Sequence, residues 1–238
     1  MLNGMIPKLT PSFLYHDSIN HMRSSNYLLK STRYIGWVIV IFLCVLGALA
    51  AINQIPPNPK SYSVEFAKHP ITTLMHVVPG LLFMVLGPVQ FMPKIRRKFP
   101  KFHRLSGYVF ALSCVPIGVS AIIITNWFPT GGVGEQISMT FFALVFLYYT
   151  YRGVQHIRQR RMLQHQACMI RVFAIGLAVA VFRVVMAVTY LGFDLHALRY
   201  LDLKLTGSFV VTWLVAEWWI KCTIFPKGRD HMKPATIE

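Results

Sequence analysis

The sequence predicts an all-α, polytopic membrane protein: a bundle of six helices that cross the bilayer, with both chain termini in the cytoplasm. Three observations predict this fold. Charged residues make up 13% and apolar residues 55% of the 238 residues, whereas soluble domains carry about 25% charged residues. The apolar residues gather in six long segments, and basic residues alternate between the connections. This composition argues against a soluble enzyme and against a disordered chain.

Each apolar segment is long enough to cross a membrane as a helix. The segments are 18 to 24 residues long, and about 20 helical residues span the ~30 Å hydrocarbon core. In lipid a segment must satisfy its own backbone hydrogen bonds, so helices are expected rather than open strands. In chain order, the segments are residues 35–52, 71–91, 105–125, 137–154, 168–191 and 206–225. They divide the chain into a cytoplasmic or interfacial segment 1–33, a membrane domain 34–226 and a cytoplasmic tail 227–238.

The basic residues predict the orientation. The two termini and the connections at 92–104 and 155–167 together hold sixteen Lys and Arg residues, and the three remaining connections hold four. The positive-inside rule therefore places both termini and the two basic connections in the cytoplasm. The net charge of +16 is then an orientation signal that can also contact anionic lipid headgroups. The expected partner is the lipid bilayer and not nucleic acid.

Two charged residues are predicted to lie deep in the membrane. Arg183 and Glu217 lie ~12 and ~16 Å from the same membrane face by helical rise. A charge at that depth should have a partner, so the sequence predicts an Arg183–Glu217 ion pair. The alternatives are that Arg183 holds an anionic cofactor or substrate group, or that Glu217 carries protons.

Three histidines begin faces of small residues. His76 lies ~7 Å below the outer end of the second segment, and His103 and His165 share a depth at the inner side. Small residues on a helix face allow close helix packing or leave room for a flat macrocycle bound by imidazole. Pro79 removes a helix hydrogen bond near His76 and marks either a packing kink or a pocket. The small residues at helical spacing from these histidines include Gly80, Gly87, Gly107, Gly118 and Gly176.

Three sequence elements resemble those of a bacterial membrane-protein family known only as a domain of unknown function. They are HVVPGLLFMVLGPVQF at 76–91, FHRLSGY at 102–108, and HQACMIRVFA at 165–174 with Arg183 further on. The resemblance covers about residues 70–190, roughly half the chain. It implies a multi-pass protein of the bacterial inner membrane, and it implies no activity because the family has none assigned.

The histidines are also similar in placement to those of ascorbate-linked b-type cytochromes, which hold two haems between pairs of histidines. This resemblance implies haem b held by His103 and His165. The second pair would be His76 and His156, which are mismatched in depth by ~20 Å. His76 would therefore need another partner, such as His196 or a methionine.

Three functions follow as hypotheses. The first is membrane electron transfer with b-type haem or a quinone, in which His103 and His165 are ligands, His76 is an outer ligand or proton relay, and Arg183 holds an anionic group. It would require a redox partner or quinone.

The second hypothesis is a transporter of a small molecule or lipid, with the His76 kink and the Arg183–Glu217 pair as a polar site. The third is a structural or assembly subunit, in which the polar residues only fasten helices together. Catalytic residues and a metal site beyond the haem ligands are not predicted.

Overall fold

A computed structural model describes residues 34–53, 69–127, 132–193 and 200–225 of the chain, without the side chains of 191–193. The predicted segments 1–33 and 227–238, and His196, lie outside the described residues. The chain divides into two units, Met1–Phe42 and Leu43–Glu238. Of the first unit the structure describes residues 34–42, which begin a helix.

The described residues form seven α-helices. Five of the predicted apolar segments lie inside one long helix each, because apolar composition marks the lipid-immersed part while helical hydrogen bonding continues beyond it. The sixth, 206–225, overlaps the last helix, which begins five residues earlier and ends two residues earlier. The all-α prediction is confirmed. The helices are α1 (Tyr34–Ile52), α2 (Pro70–Phe91), α3 (Pro93–Lys98), α4 (Pro100–Trp127), α5 (Val133–Arg158), α6 (Met162–Phe193) and α7 (Leu201–Thr223).

Five of the described helices are long and apolar enough to cross a membrane: α1, α2, α4, α5 and α6. The chain is therefore a multi-pass membrane protein by helix length and composition. Helix α7 was predicted as the sixth crossing, but it does not meet the same composition criterion. Its 23 residues include four charged side chains, at Asp202, Lys204, Glu217 and Lys221.

Within Leu43–Glu238, helices α2, α4, α5, α6 and α7 run up and down in alternation. Gln90 contacts Ser106 and His76 contacts Ser120, so α4 returns antiparallel along the whole of α2. The short helix α3 makes this connection, and both it and α4 begin with proline, whose fixed φ suits the first helical position. We call the end that holds α3 and the α5–α6 turn the basic end.

Phenylalanine rings fill the centre of the bundle. Phe83 stacks on Phe110 with ring centroids 4.7 Å apart, and it lies 5.8 Å from Phe146 and 5.7 Å from Phe173. Stacked and tilted rings at these separations are favourable beyond the area that they bury. The cluster therefore joins α2, α4, α5 and α6.

The rings pack against glycines of the neighbouring helices. A Cβ at Gly176 of α6 would overlap the Phe83 ring, and a Cβ at Gly87 of α2 would overlap the Phe173 ring. A Cβ at Gly118 would likewise meet the Leu147 side chain. The small residues that follow the histidines therefore serve close helix packing at these positions, which was one of the two expectations from sequence.

Candidate functional site

A cavity at the basic end lies between α5 and α6. Its volume is about 210 Å³. Tyr148 and Phe225 contribute to its wall. We call it the basic pocket, and its polar lining consists of Tyr149, Arg152, His156, Gln164 and Arg171.

Arg171 is fixed in place by Glu217 and Tyr149, and Trp213 holds the Glu217 carboxylate. Its Nε and Nη2 donate to the two carboxylate oxygens of Glu217, the second over 2.9 Å. The Trp213 indole Nε1 donates to the same carboxylate over 3.1 Å, and the guanidinium lies 5.1 Å from the centre of the Tyr149 ring. A bidentate pair combined with a cation–π contact gives the guanidinium one defined orientation.

The basic pocket carries a net positive charge. Glu217 neutralises Arg171, whereas Arg152 donates to the neutral amide oxygen of Gln155 over 3.2 Å. Within the described residues, no carboxylate forms an ion pair with Arg152. One cation is thus left over for an anionic ligand.

His156 contributes a buried polar atom to the same wall. Its side chain is 8% exposed, and its Nδ1 has no hydrogen-bond partner among the described residues. Buried polar atoms are nearly always paired.

Glu217 pairs with Arg171 and not, as predicted, with Arg183. The reason is the register of α6 against α7, which the bond from Lys204 Nζ to Thr189 Oγ1 fixes near one end. Arg183 lies six residues from Thr189, whereas Glu217 lies thirteen residues from Lys204. The difference of seven residues displaces the two charges by ~10 Å along the helices. The prediction assumed that the last helix begins at residue 206, but α7 begins at Leu201.

The other two predicted residues at the basic end, His103 and His165, lie close enough to interact electrostatically. His165 Nδ1 donates to the Gly153 carbonyl oxygen over 2.9 Å. The Gln90 side-chain amide lies 2.6 Å from Ser106 Oγ and 3.1 Å from His103 Nδ1. The sequence elements at 76–91 and 102–108 therefore meet in a single hydrogen-bonded contact.

The structure gives no support for a haem at His103 and His165. Beside them, Phe91 of α2 and Phe173 of α6 pack with ring centroids 5.2 Å apart. In the residues that the structure describes, no group of three or more His, Cys, Asp or Glu could hold a metal ion. The geometry therefore does not support haem b or electron transfer.

The remaining predicted residues, His76 and Arg183, lie towards the opposite end of the bundle. His76 Nδ1 lies 3.0 Å from Ser120 Oγ, and Arg183 is near enough for its charge to act on His76. We call His76, Ser120 and Arg183 the histidine–arginine cluster. The sequence singled out His76 and Arg183 but did not predict that they lie near each other, and it did not predict the basic pocket, although Arg171 ends the H-x-x-x-M-x-R element that the sequence singled out.

One family model matches the chain. It is described as "Predicted membrane protein (DUF2306)", and it matches residues 73–220. The match includes the basic pocket except Phe225, and the whole histidine–arginine cluster. No curated protein and no solved structure matches the chain.

Proposed function

The chain belongs to this family of predicted membrane proteins, and we propose that it binds the headgroup of an anionic amphiphile in the basic pocket as part of lipid handling or transport. The observation that carries the proposal is the pocket itself, in which Arg152 and a fixed Arg171 lie beside two tyrosines and His156. Phosphate and carboxylate are the groups that arginine binds best.

The pocket volume favours a headgroup over a whole ligand. Pockets that enclose drug-sized molecules have volumes of about 300–1,000 Å³, and this one has about 210 Å³. The rest of an amphiphile would therefore lie outside the cavity. Tyrosines at such a position are typical of the membrane–water interface.

Helix α5 offers a surface for an acyl chain. Phe141, Leu144, Tyr148 and Tyr151 recur at helical spacing on one face, and each is more than half exposed. In a membrane protein this face meets lipid tails. Tyr148 also lines the basic pocket, so the apolar face leads directly into it.

We also propose that α7 is the sixth crossing, which puts both termini and the basic end in the cytoplasm of a bacterial inner membrane. The Arg171–Glu217 pair supports this topology, because it neutralises one of the charges that make α7 polar. It would place the basic pocket at the cytoplasmic leaflet, where anionic lipids attract basic residues.

The experiment compares lipid binding to purified variants. Native mass spectrometry in a nonionic detergent would measure binding of phosphatidylglycerol and of phosphatidylcholine. Arg152→Gln removes the unpaired cation and should weaken phosphatidylglycerol binding at this pocket by about tenfold. Phosphatidylcholine, with its zwitterionic headgroup, should bind weakly to all forms.

Two further variants make the result interpretable. Arg158→Gln removes an exposed cation from the same end of α5 and should leave binding unchanged. The double variant Arg171→Gln/Glu217→Gln removes the fixed pair without leaving a lone charge, and it should weaken binding as Arg152→Gln does. Equal phosphatidylglycerol binding by all forms would refute the proposal and favour an assembly subunit.

A further inference from the structure

We propose that the histidine–arginine cluster is a second ligand site, which takes an acidic headgroup bearing a hydroxyl group, such as a glycerol phosphate. This inference goes beyond the basic pocket, because it concerns different residues at the other end of the bundle. It stands on the register of α2 against α6, on the direction of the hydrogen bonds, and on an arginine that has no partner among the described residues.

The register of α2 against α6 places His76 and Arg183 at the same level of the bundle. Phe83 of α2 packs against Gly176 of α6. His76 precedes Phe83 by seven residues, and Arg183 follows Gly176 by seven. Seven residues are about two helical turns. His76 therefore lies on the same face of α2 as Phe83, and Arg183 lies on the same face of α6 as Gly176. Because the two helices are antiparallel, both residues are displaced towards the same end of the bundle. The action of the Arg183 charge on His76 agrees with this placement.

The hydrogen bonds define which imidazole nitrogen is available. The single hydroxyl proton of Ser120 is donated to the Pro116 carbonyl oxygen within the same helix. Ser120 Oγ must then accept from His76 Nδ1 across their 3.0 Å contact. In a neutral imidazole with its proton on Nδ1, Nε2 is an acceptor. His76 therefore offers an acceptor to a ligand hydroxyl.

Arg183 offers the complementary donors. A guanidinium has five N–H groups and no acceptor. In the described part of the chain, Arg183 forms no ion pair or hydrogen bond, and its side chain is half-buried. It lies ten residues from the end of α6, or ~15 Å by helical rise. A cation at such a depth is expected to have a counter-charge, which an acidic headgroup would provide.

The helix face beside the imidazole is open. Gly80 follows His76 by one turn on the same face of α2. A Cβ placed at Gly80 would meet no atom within 4 Å, in contrast to Gly87 and Gly176, whose space is filled by rings. The cluster thus combines an acceptor and a cation with an open helix face.

Native mass spectrometry with two lipids tests the roles of Arg183 and His76 separately. Phosphatidylglycerol has an acidic phosphate and hydroxyl groups, whereas phosphatidylmethanol has the same phosphate without a hydroxyl. Wild type should bind two phosphatidylglycerol molecules. Arg183→Gln should retain the one in the basic pocket and weaken the second by about tenfold or more.

His76→Asn separates the hydroxyl contact from the charge. An Asn side-chain N–H can replace the Nδ1–H donor to Ser120, but the Asn amide oxygen lies closer to the backbone than Nε2, so the acceptor at the Nε2 position is lost. This variant should weaken phosphatidylglycerol binding and leave phosphatidylmethanol binding unchanged. Arg152→Gln should weaken binding in the basic pocket and leave binding at this second site unchanged. The two variants therefore test the two proposals separately, and either proposal can fail without the other.

A stability measurement tests whether Arg183 has only a structural role. If Arg183 only fastened helices, Arg183→Gln would lower the unfolding temperature of lipid-free protein, whereas loss of an unpaired cation should leave that temperature equal or higher. Unchanged stoichiometry in Arg183→Gln, or a lower unfolding temperature, would overturn the proposal. Equal affinity of wild type for the two lipids at this site would also overturn it, because the His76 acceptor would then have no role.

Discussion

At the residue scale, the Arg171–Glu217 pair shows what sequence can and cannot predict. The sequence shows that a carboxylate in an apolar helix needs a cationic partner, and the structure contains such a pair. The choice between Arg171 and Arg183 depends on where α7 begins, and residues 201–205 combine apolar and charged side chains that leave this start undefined. The basic pocket was missed for a related reason, since arginines near helix ends are usually explained by snorkelling to water.

Glu217→Gln should destabilise the protein by about 1–3 kcal/mol. The change leaves the Arg171 guanidinium without its carboxylate in a partly buried place, and an unpaired charge there is costly. The two side chains are 20% and 31% exposed, so solvent keeps the cost below that of a fully buried pair. Thermal unfolding in detergent would measure it. The variant Arg171→Met/Glu217→Leu removes both charges and should recover most of the loss; an unfolding temperature as low as that of Glu217→Gln would contradict this account.

At the scale of the elements, the helices themselves follow from sequence, but their contacts follow only in part. Long apolar segments identify six of the seven described helices, and α3 was missed because its six residues, PKIRRK, carry no apolar segment. Spacing also placed Gly87 and Gly176 on the faces of His76 and His165. What fills those faces could not be predicted, because the occupants Phe173 and Phe83 come from the partner helix.

Gly176→Ala should destabilise the bundle by about 1–3 kcal/mol, the usual cost of overpacking a core. The added methyl group would overlap the Phe83 ring, which is 2% exposed and held among three other rings. Gly207→Ala is the matched control, since a Cβ there meets nothing within 4 Å, and it should be neutral or stabilising by up to about 1 kcal/mol. Chemical or thermal unfolding of the two variants side by side would show the difference. Similar unfolding temperatures would mean that the ring can move aside.

At the scale of the whole molecule, composition predicts a multi-pass membrane protein, and both the helices and the family match confirm this description. The resemblance to a membrane family of unknown function is likewise confirmed, whereas the resemblance to b-type cytochromes is not supported. The number of crossings could not be fixed from hydropathy, because α7 balances four charged residues against an apolar majority. The orientation stays a prediction that depends on the distribution of basic residues.

Labelling from one side of the membrane would measure that orientation. In a background without the four native cysteines, Lys98→Cys at the end of α3 should react with a membrane-impermeant thiol reagent only in inverted vesicles. Gly132→Cys, just before α5, should react in intact cells. Both residues are exposed, so reactivity reports the side of the membrane and not burial. The reverse pattern would place the basic pocket on the outer face, away from the cytoplasmic lipids.

The two rings that join α2 and α6 point in opposite directions: Phe83 projects from α2 into α6, and Phe173 projects from α6 into α2. Such mutual insertion opposes sliding, because a shift of either helix along its axis drives at least one ring against backbone, and tightly packed cores do not deform continuously. An elevator-like displacement of α6 past α2 is therefore incompatible with this core, and a substrate that crosses the membrane here has to do so without it.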